Sequence, residues 1–466
     1  MKPIHYILLA AIPVFISGLE QSIMATSAAS IARLAGVETA MAWILAAYFI
    51  AAAVASPVYG RLGDRYGAMR MLIVAIVIFA CGSLLASQAG NFATLVGARF
   101  LQGLGGGGLI ALPQAFLARK IEPRVRAAYQ GYLVAVAFFA NTFGPAVGGY
   151  LIGHFGWQSV FLLQLPLAGV AVVLLWLAPG DDAAENAGPL RFDWPGALLL
   201  IGTVTCLMCL TQSLRDPGRS TEAWLWALGL IAFGAAFAWV ERRSADALIP
   251  PELLRRPIVW RSGLIVCCYG AVFTGLSSFL PVLLRRVYDL PLEQVGLMMM
   301  PLLGAVGVGS IITGQMVRRS GRTMIFPTLG LLTVASFLLC FSFAFRYLSP
   351  LQVTVWMGIS GLFMGSTMGV VQVSMQVGAP AEMLGRASAF LQLSRTIGAS
   401  LGAGLGAVIY FRGVGTTVGT TGQGLPGGLP GLEHGWTVFV VLFASYAMIA
   451  LFASLTALSC RVPRLT

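Results

Sequence analysis

Residues 43–87 read WILAAYFIAAAVASPVYGRLGDRYGAMRMLIVAIVIFACGSLLAS. Two apolar runs, each close to the roughly 20 residues that cross a hydrocarbon layer about 30 Å thick, flank a short turn that carries Arg61, Asp64 and Arg65 between Gly60 and Gly67. Backbone polar groups in lipid must be satisfied within the segment, which leaves the helix as the form such runs take. The stretch therefore predicts a helical hairpin that crosses a membrane, turns in water and crosses back.

The same alternation extends outward in both directions. The chain of 466 residues is 58% hydrophobic and 10% charged, against about 25% charged in a soluble domain. Apolar runs at 5–30, 40–61, 70–88, 91–118, 128–152 and 158–178 form a first group of six. A polar stretch from Gly180 to Arg191 follows, then runs at 194–213 and 222–240 and an Arg- and Pro-rich segment at 241–257. Six more runs lie at 260–284, 294–316, 325–345, 350–374, 386–410 and 436–458. The fold expected is all-α and integral to the membrane, with about fourteen transmembrane helices. Its organisation reads as a six-helix bundle over 1–180, an inserted two-helix hairpin with its linkers over 181–257, and a second six-helix bundle over 258–466.

An even number of spans puts both termini on one side. With that side cytoplasmic, 20 of the 29 Lys and Arg residues fall in cytoplasmic segments and 7 outside, the bias that orients membrane proteins. The net charge of +12 is accordingly read as topology, with no nucleic-acid partner. The expected location is the cell (inner) membrane, multi-pass, with both termini cytoplasmic. The first run is too long for a signal-peptide core and is interrupted by Pro13 and Glu20.

The two groups of six resemble each other. Gly60–Gly67 follows the second run of the first group, and Gly314-Gln-Met-Val-Arg-Arg-Ser-Gly-Arg322 follows the second run of the second. After the fourth run, Arg126-Ala-Ala recurs as Arg386-Ala-Ser, with Gly144 and Gly404 each 18 residues further on. Duplicated bundles with a site at their interface are a common transporter plan. The Gly-rich stretch 413–431 reads as a flexible outer connector.

Charges in hydrocarbon are costly and mark function. Glu20 is the acidic residue lying well inside a run, and Arg99 is the clearest intramembrane cation. Glu20 lies about 22 Å from the cytoplasmic side and Arg99 about 12 Å from the outer side, so the two are level and are expected to face each other across a cavity. Desolvation favours the neutral form of a buried carboxylate and a nearby guanidinium the charged form. That opposition suits proton coupling; a permanent structural ion pair is the alternative. Gln102 sits one turn from Arg99 in a Gly-rich run through Gly108. Asn141 precedes Gly144-Pro145-Ala-Val-Gly148-Gly149, where Pro145 removes a helix hydrogen bond and the glycines offer a close-packing seam; a kinked, tightly packed helix is expected. Gln21, Tyr48, Gln164, Tyr269, Gln372, Gln376 and Gln392 are further intramembrane polar or aromatic groups and, with Gln102 and Asn141, are read as candidates for a substrate cavity, as are Gln114 and Arg395 beside them. Cys206 and Cys209 form a C-x-x-C in an apolar run with no further ligands nearby, which reads as packing. No nucleophile cluster or Gly-rich phosphate loop with its Lys appears, so neither an enzyme nor an ATP-driven pump is expected.

These motifs carry a family resemblance over nearly the whole chain. Gly60–Arg70 (with Asp64, Arg65 and Gly67), Arg99 with Gln102, Gly103 and Gly105, Gly144-Pro145 with Gly148-Gly149, and Phe192-Asp193-Trp194-Pro195-Gly196 occur in the order and spacing of major facilitator superfamily carriers of the fourteen-span drug:proton antiporter type. The resemblance implies two bundles that rock about a central cavity. It further implies that Asp64 helps lock the outward-open state, that Arg99 takes part in proton coupling, and that Gly144 and Pro145 shape an antiporter hinge. The chain departs from the family at Leu19-Glu20-Gln21-Ser22, where Asp is usual and a later Asn is missing, and at Gly314–Arg322, which lacks the Asp and is expected to provide no equivalent lock. The function expected is proton-coupled export of small lipophilic, cationic drugs or toxic compounds by alternating access, with no cofactor beyond the proton. The alternatives are a dedicated metabolite or siderophore exporter and, less favoured, a non-transporting membrane receptor. The expected partners are the lipid bilayer and a small-molecule substrate. The chain is expected to be a monomer, joined by periplasmic partners if the host is Gram-negative.

Overall fold

The computed structural model describes residues 3–34, 41–178, 193–214, 220–244, 247–421 and 432–460, with 462, 464 and 465. The polar stretch Gly180–Arg191, Phe192 and residues 422–431 lie outside them. No β-strand occurs among the described residues. The first six spans are α1 (Pro3–Leu34), α2 (Met41–Tyr66), α3 (Ala68–Ser87), α4 (Phe92–Gly106) continued by α5 (Gly108–Lys120), α6 (Pro123–Phe155), and α7 (Gln158–Leu162) continued by α8 (Gln164–Leu177). The inserted hairpin is α9 (Trp194–Ser213) and α10 (Ser220–Arg243), followed by the short α11 (Pro251–Leu254). The last six are α12 (Pro257–Val287), α13 (Leu292–Ser320), α14 (Ile325–Ala344), α15 (Pro350–Met364) continued by α16 (Met368–Gly378), α17 (Leu384–Thr421) and α18 (Leu432–Ser459).

Thirteen of these spans are long and apolar enough to cross a membrane by their own composition. The remaining one, α17, holds Ser388, Gln392, Ser394, Arg395 and Ser400, which lower its hydropathy. It is sheltered by packing on α2, α5, α12 and α18. Residues 413–421, expected as connector, continue α17 as helix.

The repeat read from the sequence is visible in how the helices meet. The fourth span of each group is capped alike: Asn91 Oδ1 accepts from Thr94 N at 2.9 Å, and Ser349 Oγ accepts from Gln352 N at 3.3 Å. Each then packs glycines on the second span. A Cβ at Gly103 would collide with the Tyr48 carbonyl and one at Gly107 with the Ala52 carbonyl on α2; Gly361 and Gly365 stand in the same relation to the Leu302 and Val306 carbonyls on α13. First and fifth spans pair as α1 with α6 and α12 with α17.

Two seams join the halves. On one, α6 runs against α13, Gly131 facing Ser310 and Gly314 facing Ala127. On the other, α2 meets α17, where Gly60 lies against the Gly385 carbonyl, 2.7 Å from where a Cβ would stand. Further along α6 and α13, Gly149, Gly153, Gly296 and Gly304 have open space where a Cβ would point. The tight glycine contacts of the seam thus lie towards the Asp64 end. Both chain ends lie at the Asp64 end: Tyr6 packs edge-on against Phe116 near the end of α5, and Leu465 N donates to the Gly321 carbonyl after α13.

The inserted hairpin is divided in role. Helix α10 packs on α9 and leaves Trp224, Leu225, Leu228 and Ile231 exposed, the surface of a lipid-facing helix. Helix α9 packs on α2 and α17, and Ala197, Leu200 and Val204 join Ala46, Ile50, Leu248, Ile249 and Leu393 in one apolar cluster.

Overpacking a tight helix contact costs about 1–3 kcal/mol. Gly107→Leu is therefore expected to lower the thermal midpoint in detergent, measured by size-exclusion after heating. Gly97→Leu, at a position with nothing within 4 Å, is expected to leave it unchanged.

Candidate functional site

The charged centre of the first bundle draws on six helices. Glu20 of α1 and Arg99 of α4 are 0% and 1% exposed and form an ion pair. They touch directly, where the sequence led us to expect a cavity between them. Arg99 Nη1 donates to Glu20 Oε1 and to Gln102 Oε1, and its Nε donates to the Ile44 carbonyl of α2 at 3.2 Å. The guanidinium also lies over the Tyr48 ring, 4.7 Å from its centroid, with Phe161 of α7 at 5.9 Å. Gln164 Nε2 donates to Glu20 Oε2. Gln102 Nε2 donates to Ser83 Oγ at 2.7 Å and Gln164 Oε1 at 2.8 Å, with a longer 3.4 Å approach to Glu20 Oε2. Ser83 Oγ donates to Gln164 Oε1 at 2.9 Å. Both carboxylate oxygens and the guanidinium are thereby held, which is what a buried pair requires if it is to offset its desolvation.

Of the residues predicted for this region, Glu20, Arg99, Gln102, Gln164 and Tyr48 come together. Ser83 was missed; a lone serine in an apolar run carries no sequence signal of its partner. Gln21 turns back to Ser17 Oγ at 3.2 Å, and Asn141 joins α1 through its backbone carbonyl, which accepts from Ser22 Oγ at 2.6 Å. Gly144 is buried against Ser22, 2.6 Å from where its Cβ would lie, Gly148 is buried and Gly149 is open. Helix α6 runs as one helix through Pro145.

The second constellation joins the halves at the other end of α2. Asp64 Oδ1 accepts from Arg119 Nη2 at 2.7 Å and from Gly385 N at 2.6 Å; Oδ2 accepts from Arg386 N at 3.0 Å and lies 3.5 Å from Arg386 Nε. The carboxylate thus caps free N–H groups at the start of α17, where the helix dipole also favours negative charge. Gly60 lets α2 and α17 approach, Gly67 takes φ 94° at the turn into α3, Arg65 lies over the Tyr66 ring at 5.6 Å, and Arg70 is exposed outside the latch.

The second copy of the motif behaves differently from expectation. It offers no carboxylate, yet it is latched: Arg124 at the start of α6 donates to the Arg318 and Arg319 carbonyls at the end of α13, at 2.9 and 3.0 Å. A helix C-terminus carries partial negative charge, so the chemistry is the mirror of that at Asp64. Between the latches, Gln372 and Gln376 both donate to Ser388 Oγ at 3.0 Å, and Gln376 also approaches the Gln114 carbonyl of the first bundle at 3.3 Å. Tyr269 is buried and stacks on Phe273, with ring centroids 6.1 Å apart, and Gln392 Oε1 accepts from Arg395 Nε at 3.2 Å. These residues belong to the second bundle and do not join the Glu20 centre.

Two pseudo-symmetric helical bundles, a buried acid–base pair in one and latches closing one end of the seam between them define a membrane transporter. Residues 10–403 match the Major Facilitator Superfamily model, and the chain belongs to that superfamily. It is 28% identical to the multidrug transporter protein MdtP of Bacillus subtilis over 407 residues, which is 86% of this chain and 74% of that one. It is 25% identical to multidrug resistance protein 3 of the same organism over 398 residues, 84% of this chain and 76% of that one. Among solved structures, the human organic anion transporter MFSD10 (TETRAN) superposes with a TM-score of 0.68 at 14% identity, over 98% of this chain and 100% of that one; a likeness at that identity speaks to fold alone. The chain is a multi-pass membrane transporter of that superfamily.

Removing one partner of a buried pair costs about 3–5 kcal/mol because the other charge is left uncompensated. Arg99→Leu and Glu20→Gln are therefore both expected to lower the thermal midpoint, since each leaves one member of the pair without its partner. An unchanged midpoint in either variant would show that the pair contributes little to stability. For the latch, Asp64→Asn is expected to lengthen the spin-label distance between the ends of α2 and α17, measured by double electron–electron resonance. An unchanged distance distribution would show that the apolar seam alone holds that end shut.

Proposed function

We propose that this chain is a proton-coupled antiporter that exports small lipophilic compounds across the cell (inner) membrane, with the Asp64 end facing the cytoplasm. The Lys/Arg bias supports the orientation. One observation carries the coupling assignment: a fully buried carboxylate, Glu20, held by a guanidinium and two amide side chains inside one bundle.

In this reading a proton entering from the open side neutralises Glu20. Its ion pair with Arg99 is then lost, and Arg99 is left with the Gln102 amide, the Ile44 carbonyl and the Tyr48 ring. Helix α4 shifts relative to α1. Because α4 and its continuation are packed on α2 through Gly103 and Gly107, the shift is carried along α2 to the Asp64 latch. Opening of that end releases the proton to the cytoplasm and admits cargo. The coupling ion is the proton, no other cofactor is involved, and the unit of transport is the monomer. A preference for cations was expected from Glu20 as an open carboxylate; Arg99 already neutralises it, so the charge of the cargo is set by other residues.

The test is uptake of lipophilic fluorescent dyes (cationic, neutral and anionic) into inverted vesicles, with and without an imposed pH gradient. Gradient-dependent accumulation that is lost in Glu20→Gln is expected. Accumulation that persists in Glu20→Gln would remove Glu20 from the coupling step. No gradient effect on any dye would favour a dedicated metabolite or siderophore exporter.

A further inference from the structure

Arg395 is a second intramembrane cation that the mechanism above does not use. It lies about 16 Å along α17 from the Asp64 end and Tyr269 about 18 Å along α12, near the middle of a hydrocarbon core about 30 Å thick. Its partner is Gln392 Oε1, one turn away at 3.2 Å, and no carboxylate pairs with it among the described residues. Arg99 at similar depth is matched by Glu20. The two bundles thus differ in charge: the first is neutral at its centre, and the second keeps one uncompensated positive charge. An unpaired charge at this depth is costly and marks a site.

Its direction is fixed by its neighbours. Ser388, Gln392 and Arg395 fall on one face of α17, at i, i+4 and i+7. Ser388 on that face accepts from Gln372 and Gln376 of α16, and Gln376 reaches across to the first bundle at the Gln114 carbonyl. The face therefore looks into the seam between bundles, with Arg395 two turns above Ser388 and about three turns above the closed end. On the adjoining helix, Tyr269 is 2% exposed and its hydroxyl has no hydrogen-bond partner; the next residue, Gly270, lies against the Arg395 carbonyl, 2.5 Å from where a Cβ would stand. Tyr269 stacks on Phe273, and Phe273 meets Phe138 of the first bundle edge to face, 5.2 Å between centroids. A cation, an unsatisfied hydroxyl donor and an aromatic wall spanning both bundles converge at the seam.

We propose that Arg395 and the Tyr269 hydroxyl recognise the acidic head of the cargo, whose class is an amphipathic organic anion with its apolar body against Phe138 and Phe273. A carboxylate or sulfonate there would supply the counter-charge that the protein omits and the acceptor that Tyr269 lacks. The inference rests on the export reading for the seam being the cargo path, but it concerns charge preference and is independent of what drives transport.

The experiment is equilibrium fluorescence-anisotropy titration of the purified full chain in detergent, without any gradient. Fluorescein and rhodamine 123 share a xanthene scaffold and differ in charge. Saturable fluorescein binding is expected, at least about tenfold tighter than rhodamine 123, a difference of about 1.4 kcal/mol. Arg395→Gln should weaken fluorescein by about tenfold or more and leave rhodamine 123 unchanged, Tyr269→Phe should weaken it less, and Arg395→Lys should retain most of the affinity. Size-exclusion profiles that match the parent separate lost recognition from lost folding, and Arg395→Lys serves as the charge-keeping control. Equal or tighter binding of rhodamine 123, no saturable fluorescein binding, or Arg395→Gln within twofold of the parent overturns the proposal. Displacement of fluorescein by chloride at constant ionic strength would assign Arg395 to an inorganic anion and overturn it equally. Because no gradient is present, a failed dye-transport assay leaves this result untouched, and failure here leaves proton coupling standing.

Discussion

A charge placed in hydrocarbon is costly unless it is paired or hydrogen-bonded, and this constraint shapes the centre of the molecule. The Glu20–Arg99 pair is tolerable because Gln102, Gln164, the Ile44 carbonyl and the Tyr48 ring surround it. Supplying those partners requires α1, α2, α4, α7 and α8 to converge on one point, with α3 adding Ser83. Convergence in turn requires close packing, which the glycines of α4 and its continuation allow against α2. The pair is thus both a product of the bundle's packing and a reason for it. A proton on Glu20 perturbs the whole arrangement rather than one side chain.

The two latches show the same economy of means. Each sits where a second span ends or a fifth span begins, and each uses a helix terminus of the opposite half. Asp64 meets the positive start of α17, and Arg124 meets the negative end of α13. Duplication supplied equivalent helix ends, and the partners they take are opposite in charge. The individual bonds are charge-assisted, each in the range of about 1.5–3 kcal/mol. A small number of them suffices to bias a seam that is otherwise held by apolar contact. Helix α9 lies along the α2–α17 seam, so the inserted hairpin also touches a contact that must break on opening.

Much of this was legible in order along the chain. Apolar runs of spanning length, the glycine-bounded turns, and the Lys/Arg bias required only local composition. The depth argument placed Glu20 and Arg99 level because helical rise is constant. It did not show that they touch, since sequence gives height along a helix but not rotation about its neighbours. Ser83 escaped for that reason, and so did the latch at Gly314–Arg322, whose acceptors are backbone carbonyls available in any sequence. Gly144 and Pro145 stood out as a hinge pattern; α6 runs through them as one helix, with Gly144 packed on Ser22 of α1.

The sequence by itself determined that this protein spans a membrane many times, in two related groups of helices around a two-helix insert, with one acid and two cations held in lipid. It did so because hydrophobic length and periodic charge are local properties. Only the tertiary structure decided which of those charges neutralise each other, which end of the seam is shut, and that Arg395 meets no carboxylate among the described residues. Those outcomes depend on which helix faces meet, and facing is set by packing among residues hundreds of positions apart.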